Sequence, residues 1–365
     1  MAGCPCAREG LSLGEMSLSV LRVIDASFNR TAEGLRLLED VARLVLDDTA
    51  LTERLKSLRH RVRGTDTVLQ QALVRARNAA GDVGIDTAVP DEPAGRSLPA
   101  SVIANSRRAQ EALRTLEEMA RLPEAAGLDP AAFRHARFEL YELEQALLDR
   151  LLRRDRAARI SGLYVIIDTA VLGERDCLEI ARAVLQGGAS VLQLRDKALP
   201  GRERLALARR LKAACQEAGA LFVMNDYLDM ALACEADGLH VGQDDLPAEE
   251  ARRLLPPGVL LGVSVTTPEQ AVAADRAGAD YIAVGSIYPT STKETVIVVG
   301  VATLGQVRQV TQRPLVAIGG ITAEKVKELV AAGADAVCVI SAVLNAPSPG
   351  AAARQFSQRL EEARG

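Results

Sequence analysis

Residues 192–197 read LQLRDK, and this short stretch holds the pattern that decides the fold. An apolar run ends in polar side chains on alternate positions, namely Gln193, Arg195 and Lys197. In a parallel α/β barrel such strand ends share one face, and that face carries the active site. The pattern recurs where other apolar runs end in charged, amide, hydroxyl or glycine residues: VMND at 223–226, HVGQDD at 240–245, GVS at 262–264 and AIGG at 317–320.

Short apolar segments alternate with helix-forming segments throughout residues 158–365. The sequence AGAD, at 277–280 and again at 332–335, is typical of a helix end before the next strand. Eight βα units in about 200 residues predict a TIM (β/α)8 barrel, an α/β fold. The alternative is a doubly wound sheet, which the lack of a GxGxxG sequence after the first strand disfavours. The predicted strands are Leu163–Ile167, Val191–Leu194, Leu221–Met224, Gly238–Val241, Leu260–Val263, Tyr281–Val284, Leu315–Ile318 and Ala336–Ile340.

Before residue 158 the helix period dominates, and the sequence repeats itself at an offset of 78 residues. We predict an all-helical domain with an internal pseudo-twofold repeat over residues 17–157, preceded by a disordered tail over residues 1–16. Helices fit residues 51–74 and 131–156. Residues 26–39 align with 104–117, and the identical pairs include Arg30/Arg108, Glu33/Glu111, Leu35/Leu113, Arg36/Arg114, Leu38/Leu116 and Glu39/Glu117.

The composition limits the classes of partner. With 48% apolar and 25% charged residues, the 365-residue chain is ordinary for a soluble globular protein. A net charge of −4 argues against nucleic acid as a main partner, and no apolar run approaches the roughly 20 residues that span a bilayer. The six cysteines form no CxxC pair, which indicates buried thiols in a reducing cytoplasm. We expect a cytoplasmic protein that acts on small molecules and could form a homo-oligomer.

The polar residues on the second predicted strand suit a diphosphate group. Gln193, Arg195 and Lys197 alternate along the strand and its exit, so one face presents an amide and two cations. Arginine offers a planar fork and lysine a point charge to phosphate oxygens. A solvated strand end is the alternative, but it would not explain why Gln193 points with the cations into a small apolar barrel.

Two carboxylates follow adjacent predicted strands, Asp226 after the third and Asp245 after the fourth. Carboxylates with few other protein ligands suit Mg²⁺ that is shared with substrate phosphates. The alternative is that each aspartate caps a helix N-terminus. Because both stand beside the diphosphate clamp, we predict a magnesium site.

The loops after the last two strands contain Gly319-Gly320 and Ile340-Ser341. In TIM barrels these loops frequently bind phosphate, because glycine lets backbone N–H groups approach and a helix N-terminus is positive. The alternative is two tight turns. After the sixth strand, the hydroxyl-rich residues 289–295 contain one lysine and could cover the substrates.

Seven ordered motifs resemble those of the thiamine-phosphate synthase family over roughly residues 162–360. The family joins hydroxymethylpyrimidine diphosphate to a thiazole phosphate carboxylate and releases diphosphate. The motifs are QxRxK at 193–197, ND at 225–226, GQDD at 242–245, GVS at 262–264, YPTxTK at 288–293, IGGI at 318–321 and IS at 340–341.

This resemblance implies roles for individual residues. Asp226 and Asp245 would ligate Mg²⁺, and Arg195, Lys197 and Lys293 would act as catalytic residues that stabilise the departing diphosphate. The residues implied to bind the pyrimidine diphosphate are Gln193, Arg195, Lys197, Asn225, Ser264 and Lys293. Those implied to hold the thiazole phosphate are Thr290, Thr292, Gly320, Ile340 and Ser341.

The helical half resembles a domain that is fused ahead of this synthase in some bacteria and has been proposed as a hydroxymethylpyrimidine-phosphate kinase. It has no GxxxxGK[ST] P-loop. The alternative is a docking domain in which Glu33–Arg36 and Glu111–Arg114 form solvated ion pairs. Under the kinase hypothesis, a phosphate pocket would be formed by Asn29, Arg30, Arg36, Asp82, Asn105, Arg108 and Arg114.

A different alternative concerns the barrel itself. A degenerate relative could bind thiazole phosphate for isomerisation or regulation without synthase activity, with the helical half as a scaffold. Such a protein should have lost the diphosphate clamp or the metal carboxylates. This chain retains both, which favours the transferase.

Overall fold

The structure is a computed structural model that describes residues 16–64, 66–78, 95–290 and 297–365. The chain divides into two compact units, residues 1–151 and 152–365. The division falls inside a helix, Pro130–Ala157, whereas the sequence places the domain boundary at the end of that helix. The predicted tail lies outside the described residues except for Met16.

The described part of the first unit is helical. Where the sequence predicts one helix over residues 51–74, the structure has two. The break occurs because Gly64 ends the first with a φ of 65°, and the Asp66 carboxylate caps the second by accepting from the N–H groups of Val68 and Leu69. The helices are α1 (Leu18–Asp40), α2 (Thr49–Arg63), α3 (Thr67–Ala76), α4 (Leu98–Met119) and α5 (Pro130–Ala157); a π-helical turn, Val41–Val45, continues α1.

The repeated apolar stripe forms the core of the helical unit. Leu35 and Leu38 of α1 and their counterparts Leu113 and Leu116 of α4 are fully buried in one cluster. Met16 is 8% exposed and packs in the same cluster. The period of the leucines in the sequence therefore marks the faces through which the two copies contact the core.

The second unit is a closed barrel of eight parallel strands in sequence order, with β8 paired to β1. This confirms the predicted fold class, and each predicted strand is present. The strands are β1 (Gly162–Asp168), β2 (Ala189–Arg195), β3 (Leu221–Asn225), β4 (Gly238–Val241), β5 (Leu260–Val265), β6 (Tyr281–Val284), β7 (Leu315–Ile318) and β8 (Ala336–Val339).

Helices follow the strands and cover the outside of the barrel. Several begin within a few residues of a strand end, which places their N-termini at the face where the strands finish. The described helices are α6 (Thr169–Leu172), α7 (Cys177–Gln186), α8 (Gly201–Glu217), α9 (Leu228–Ala233), α10 (Ala248–Leu254), α11 (Pro268–Arg276), α12 (Gly300–Val310), α13 (Val326–Ala331), α14 (Ser341–Leu344) and α15 (Pro349–Arg364).

Two separate apolar layers lie on either side of the sheet, because side chains alternate along each strand. One layer packs the strands against the helices. The other fills the barrel interior and includes Tyr164, Val191, Val223, Tyr281 and Cys338. Toward the carboxyl ends of the strands, the inward-facing positions are occupied by polar residues of the predicted site.

Within the described ranges, no helix is both long and apolar enough to cross a bilayer.

Gly34→Ala is expected to destabilise the helical unit even though alanine favours helices. A Cβ at position 34 would lie 2.8 Å from the carbonyl oxygen of Asn105 and 3.1 Å from the Cβ of Ala109, both in α4. We expect a net loss of about 1–3 kcal/mol, the usual cost of overpacking. The shift in the midpoint of denaturant unfolding, followed by circular dichroism, measures it.

Gly305→Ala in α12 is the matched control. A Cβ there meets nothing within 4 Å, so the substitution should stabilise the protein by about 0.5–1 kcal/mol through helix propensity alone. Equal stabilisation by both substitutions would contradict the proposed close contact between α1 and α4.

Candidate active site

Arg195 is fixed by an aspartate that the sequence did not single out. Asp168 ends β1, stands opposite Arg195 in the register of β1 and β2, and is 1% exposed. Its carboxylate lies 2.6 Å from Nη1 of Arg195 and also accepts from the N–H of Ala170. The ion pair holds the guanidinium at the strand ends. Asp168 could have been found from the sequence, because it is a polar residue at the end of an apolar run.

Lys197 lies at the exit of β2 and reaches toward the end of β3. Its Nζ is 3.7 Å from Oδ2 of Asp226, and the lysine side chain is 60% exposed. Because the lysine end of this pair is exposed and the two atoms are far apart for an ion pair, the contact contributes little to stability. Lys197 can therefore exchange the carboxylate for a ligand anion at small cost.

Asp226 has an unusual backbone conformation and a carboxylate partner of the same charge. Its φ is 61°, in the left-handed region, and its N–H donates to the carbonyl of His240 at 2.8 Å. Burial, followed by the hydrogen bond and the like charge of Asp245, raises the pKa of Asp226 to about 6. The ends of β3 and β4 thus bring the two predicted metal ligands together.

The helix-capping alternative does not account for this pair. The residue that precedes α9 is Tyr227, and the one that precedes α10 is Pro247; neither caps its helix through a side chain. The carboxylate of Asp245 instead accepts from the N–H of Gly242 at 2.8 Å, within its own loop.

The carboxylate pair fits a hard divalent cation by its donor chemistry. Two facing carboxylates can both approach one cation, which would offset their repulsion. Among the described residues, no group of three or more histidine, cysteine, aspartate or glutamate side chains is placed to hold a metal. A cation on Asp226 and Asp245 would therefore keep most of its coordination positions for water and substrate oxygens, as Mg²⁺ prefers.

A chain of buried hydrogen bonds crosses the barrel interior below these charges. The amide nitrogen of Gln193 donates to the hydroxyl of Tyr164 at 2.7 Å, and the hydroxyls of Tyr164 and Tyr281 are 3.1 Å apart. Nδ1 of His240 lies 3.0 Å from the Tyr281 hydroxyl, and Nε2 lies 2.9 Å from Oγ of Ser264. Two predicted substrate-binding residues, Gln193 and Ser264, are thus the two ends of one polar chain.

The glycine-rich turn after β7 packs against the loop after β6. Gly319 and Gly320 have φ values of 105° and 63°. A Cβ on Gly320 would lie 2.3 Å from the carbonyl oxygen of Pro289 and 2.9 Å from the Cβ of Tyr288. Position 320 therefore requires glycine both for its conformation and for the close approach of the two loops.

The remaining predicted site residues divide between described and undescribed parts of the chain. Asn225 ends β3, Ser341 begins α14 directly after Ile340, and Thr290 lies at the end of a described range. Thr292 and Lys293, with most of the predicted covering loop, lie outside the described residues.

A second layer of contacts supports the strand ends. Asp196, which is 2% exposed, accepts from Nε of Arg204 at 2.8 Å and from the hydroxyl of Thr169 at 2.6 Å. The Arg204 guanidinium stacks 4.1 Å from the ring centre of Tyr227, the residue after Asp226. These contacts tie the exits of the first three strands together.

In the helical unit, two of the repeated arginines, Arg36 and Arg114, pair with acids that follow them in the sequence. Arg36 and Arg114 are half exposed and do not contact Glu33 or Glu111 as ion pairs; their partners are the buried Glu39 and Glu117. The full sets are Arg36 and Arg59 on Glu39, and Arg114, Arg121 and Arg137 on Glu117. The proposed phosphate pocket also included Asp82, which lies outside the described residues.

Many (β/α)8-barrel enzymes bind phosphorylated substrates at the carboxyl ends of their strands. The second unit belongs to this class of barrel enzymes. The family model "Thiamine monophosphate synthase" matches residues 163–343, and the model "ThiD2 family" matches residues 22–146. The chain belongs to the thiamine-phosphate synthase family and is a transferase of thiamine biosynthesis.

Individual relatives support this assignment over nearly the whole chain. The thiamine-phosphate synthase of Synechococcus sp. (strain CC9311) is 38% identical, with 95% of this chain and 98% of that protein covered. That of Thermosynechococcus vestitus is also 38% identical, with 93% and 95% covered. A solved thiamine phosphate pyrophosphorylase from Pyrococcus furiosus matches 57% of this chain and all of its own length, with a TM-score of 0.53 and 35% identity.

Asp226→Asn is expected to abolish most of the Mg²⁺-dependent formation of thiamine phosphate. Asparagine tolerates the left-handed conformation, so the fold should survive while one metal-binding charge is lost. We expect a loss of about 100-fold or more in kcat, since metal contributions of several kcal/mol correspond to such factors. A Mg²⁺ titration of the initial rate measures it.

Asp244→Asn is the control for that variant, because Asp244 is the exposed neighbour of Asp245. Its activity should stay within about threefold of the unmodified protein, as for other exposed surface changes. Near-normal turnover of the Asp226→Asn protein, with an unchanged Mg²⁺ dependence, would refute the metal assignment.

Asp168→Asn tests whether Arg195 needs its buried partner. The amide can still cap Ala170 but no longer neutralises Arg195, so kcat/KM for the pyrimidine diphosphate should fall about tenfold. Asp237→Asn is a matched control, because Asp237 pairs with Lys212 at 2.6 Å just before β4 begins, away from the strand ends. Steady-state kinetics of both variants measure the change in kcat/KM. Equal losses of kcat/KM in the two variants would show a general effect on stability and not a role of Asp168 in orienting Arg195.

Proposed function

We propose that the barrel condenses 4-amino-2-methyl-5-hydroxymethylpyrimidine diphosphate with 4-methyl-5-(2-phosphoethyl)thiazole in its carboxylate form. The products are thiamine phosphate, carbon dioxide and diphosphate. The observation that carries this proposal is the alternation of cations and carboxylates at adjacent strand ends. Arg195 and Lys197 belong to β2 and its exit, and Asp226 and Asp245 follow β3 and β4.

The proposed reaction begins when the bond between the pyrimidine methylene carbon and the diphosphate oxygen breaks. Negative charge then develops on the leaving group, and donors fixed in advance stabilise it most effectively. Arg195, oriented by Asp168, would donate through its planar fork, and Lys197 would supply a point charge. Lys293 keeps its predicted role as a third cation. The electron-rich aminopyrimidine can bear the methylene cation, so this step needs no proton transfer.

Mg²⁺ is the proposed cofactor, held by Asp226 and Asp245. When bound, it would neutralise part of the charge on the diphosphate oxygens. The carboxylate pair supports this assignment, since a cation between the two groups would relieve the repulsion that helps to raise the pKa of Asp226.

The second substrate is proposed to bind through its phosphate near the last two strands. Gly320 and Ser341, with Ile340, stand at the turn after β7 and at the start of α14, where backbone N–H groups can meet phosphate oxygens. Thr290 and Thr292 would complete this site. With both substrates held, the thiazole nitrogen would attack the methylene carbon at close range. The carboxylate would then leave as carbon dioxide, and a proton from water would take its place on the thiazolium carbon.

For the helical unit we propose a scaffold role, with phosphorylation of the pyrimidine monophosphate as a second candidate. The ion pairs on Glu39 and Glu117 support the scaffold, because Arg36 and Arg114, two of the repeated arginines, are already paired with acids. A cleft of about 690 Å³ in the first repeat supports the kinase candidate. Its polar lining consists of Glu33, Arg36, Asp40, Arg59 and Arg63.

One assay separates these functions. Full-length protein is incubated with thiazole phosphate carboxylate, Mg²⁺ and either the pyrimidine diphosphate or the monophosphate with ATP, and thiamine phosphate is quantified. We expect product from the diphosphate. An Arg195→Ala variant should lose most of this activity, because the leaving group then lacks its planar donor.

The reaction with the monophosphate and ATP tests the helical unit, and the reaction with the diphosphate tests the barrel. Product from the monophosphate with ATP would establish the kinase and overturn the scaffold role, whereas its absence would count against the kinase. Absence of product from the diphosphate would sink the synthase proposal and favour a degenerate barrel that binds thiazole phosphate for another purpose.

A further inference from the structure

We infer that Tyr164, Tyr281 and His240 act together as positioning residues that fix the direction of the hydrogen bonds between Gln193 and Ser264. The inference rests on the proposed function and on the family resemblance, which implies that Gln193 and Ser264 bind the pyrimidine diphosphate. None of the three positioning residues was assigned a role from the sequence. Their side chains contact one another and the two end residues, and in this proposal they act on the substrate through those ends.

The proposed direction gives each proton along the chain one acceptor. Burial raises the pKa of Tyr164 and of Tyr281 well above the usual value, so each hydroxyl carries its single proton. Gln193 donates its amide N–H to Tyr164, and in the proposed direction Tyr164 donates its own proton to the Tyr281 oxygen, 3.1 Å away.

The same count continues to the other end. In the proposed direction Tyr281 donates its proton to Nδ1 of His240, and an imidazole that accepts at Nδ1 is neutral and carries its own proton on Nε2. Nε2–H therefore donates to Oγ of Ser264. Because Oγ already accepts this hydrogen bond, the Ser264 hydroxyl proton is directed to a further acceptor.

The chain is built into the packing of the barrel. Tyr164, Gln193, Tyr281 and His240 are each less than a tenth exposed. Gly262 makes room for the contact between the rings: a Cβ there would lie 2.3 Å from the Tyr281 hydroxyl and 2.5 Å from Nδ1 of His240. Buried polar groups are costly unless every donor and acceptor is matched, so a fully directed chain is the arrangement the interior favours.

The consequence for the substrate is a fixed pattern of one donor and one acceptor. Ser264 presents a hydroxyl proton, and Gln193, whose amide nitrogen is held by Tyr164, presents its carbonyl oxygen. An aminopyrimidine offers the complementary pair, a ring nitrogen that accepts and an amino group that donates. A pyrimidine with a carbonyl in place of the amino group would set two acceptors against each other at Gln193, so the chain would select for the amino form.

The test is the tautomer of His240, read from long-range ¹H–¹⁵N spectra of the full-length protein labelled at histidine, at a pH where the imidazole is neutral. The chain has three histidines, and a His240→Asn variant assigns the signal. We expect the Nε2–H tautomer in the unmodified protein. The Nδ1–H tautomer would overturn the proposal without any need for a variant.

Two conservative variants give different expected spectra. In Tyr281→Phe, Nδ1 loses its donor, so the Nδ1–H tautomer should become populated. In Tyr164→Phe, Tyr281 still donates to His240, so the Nε2–H tautomer should persist while Gln193 loses its anchor. Retention of the Nε2–H tautomer in Tyr281→Phe, or its loss in Tyr164→Phe, would contradict the proposed direction.

Kinetics provide the functional readout. Both variants should raise KM for the pyrimidine diphosphate by about tenfold to a hundredfold, with a smaller change in kcat, since each misaligns one contact to the bound ring. Tyr141→Phe in α5 of the helical unit is the control and should leave KM unchanged. An unchanged KM in Tyr281→Phe would refute the positioning role. If the unmodified protein made no product, the synthase proposal would fail, while the tautomer result would still decide the direction of the chain.

Discussion

The hydrogen bonds between β8 and β1 are the constraint on which the candidate site depends. Tyr164 pairs with Cys338 in this closing register, and the closure turns the sheet into a barrel with all eight strands parallel. Parallel order sends every carboxyl end to the same face, so residues far apart in sequence meet there. Without this pairing, Asp168 would lie on an edge strand of an open sheet. The hydrogen-bonded chain through Tyr164 would then no longer be enclosed by β8.

The face built in this way has a charge sequence that runs around the strand ends. Asp168, Arg195 with Lys197, Asp226 and Asp245 follow one another from β1 to β4. Each charge has an opposite neighbour except at the Asp226–Asp245 contact, where two carboxylates meet. A diphosphate accompanied by a divalent cation would complement both parts: the anion meets the cationic pair and the cation meets the acidic one.

The sequence predicted the barrel well, because short apolar runs that end in polar residues and AGAD turns are local signals of strands and helix ends. It also placed Asp226 and Asp245 after neighbouring strands, since strands that are consecutive in the sequence lie side by side in this barrel. It could not identify Tyr164 and Tyr281, because a tyrosine on an inward position has the same pattern whether it packs or hydrogen-bonds. It missed the partners of Arg36, since a helix offers acids on both sides and side-chain rotamers decide between them.

Because Gly262 has no side chain, Tyr281 and His240 can pack closely against it, so the residues allowed at positions 262, 281 and 240 depend on one another. A methyl group there would collide with both the phenol of Tyr281 and the imidazole of His240. A larger residue at 262 could therefore enter the lineage only together with a smaller one at 281 or 240. Substitutions at these three sites should therefore occur together. A redesign of this barrel to bind another heterocycle must change the three residues at the same time.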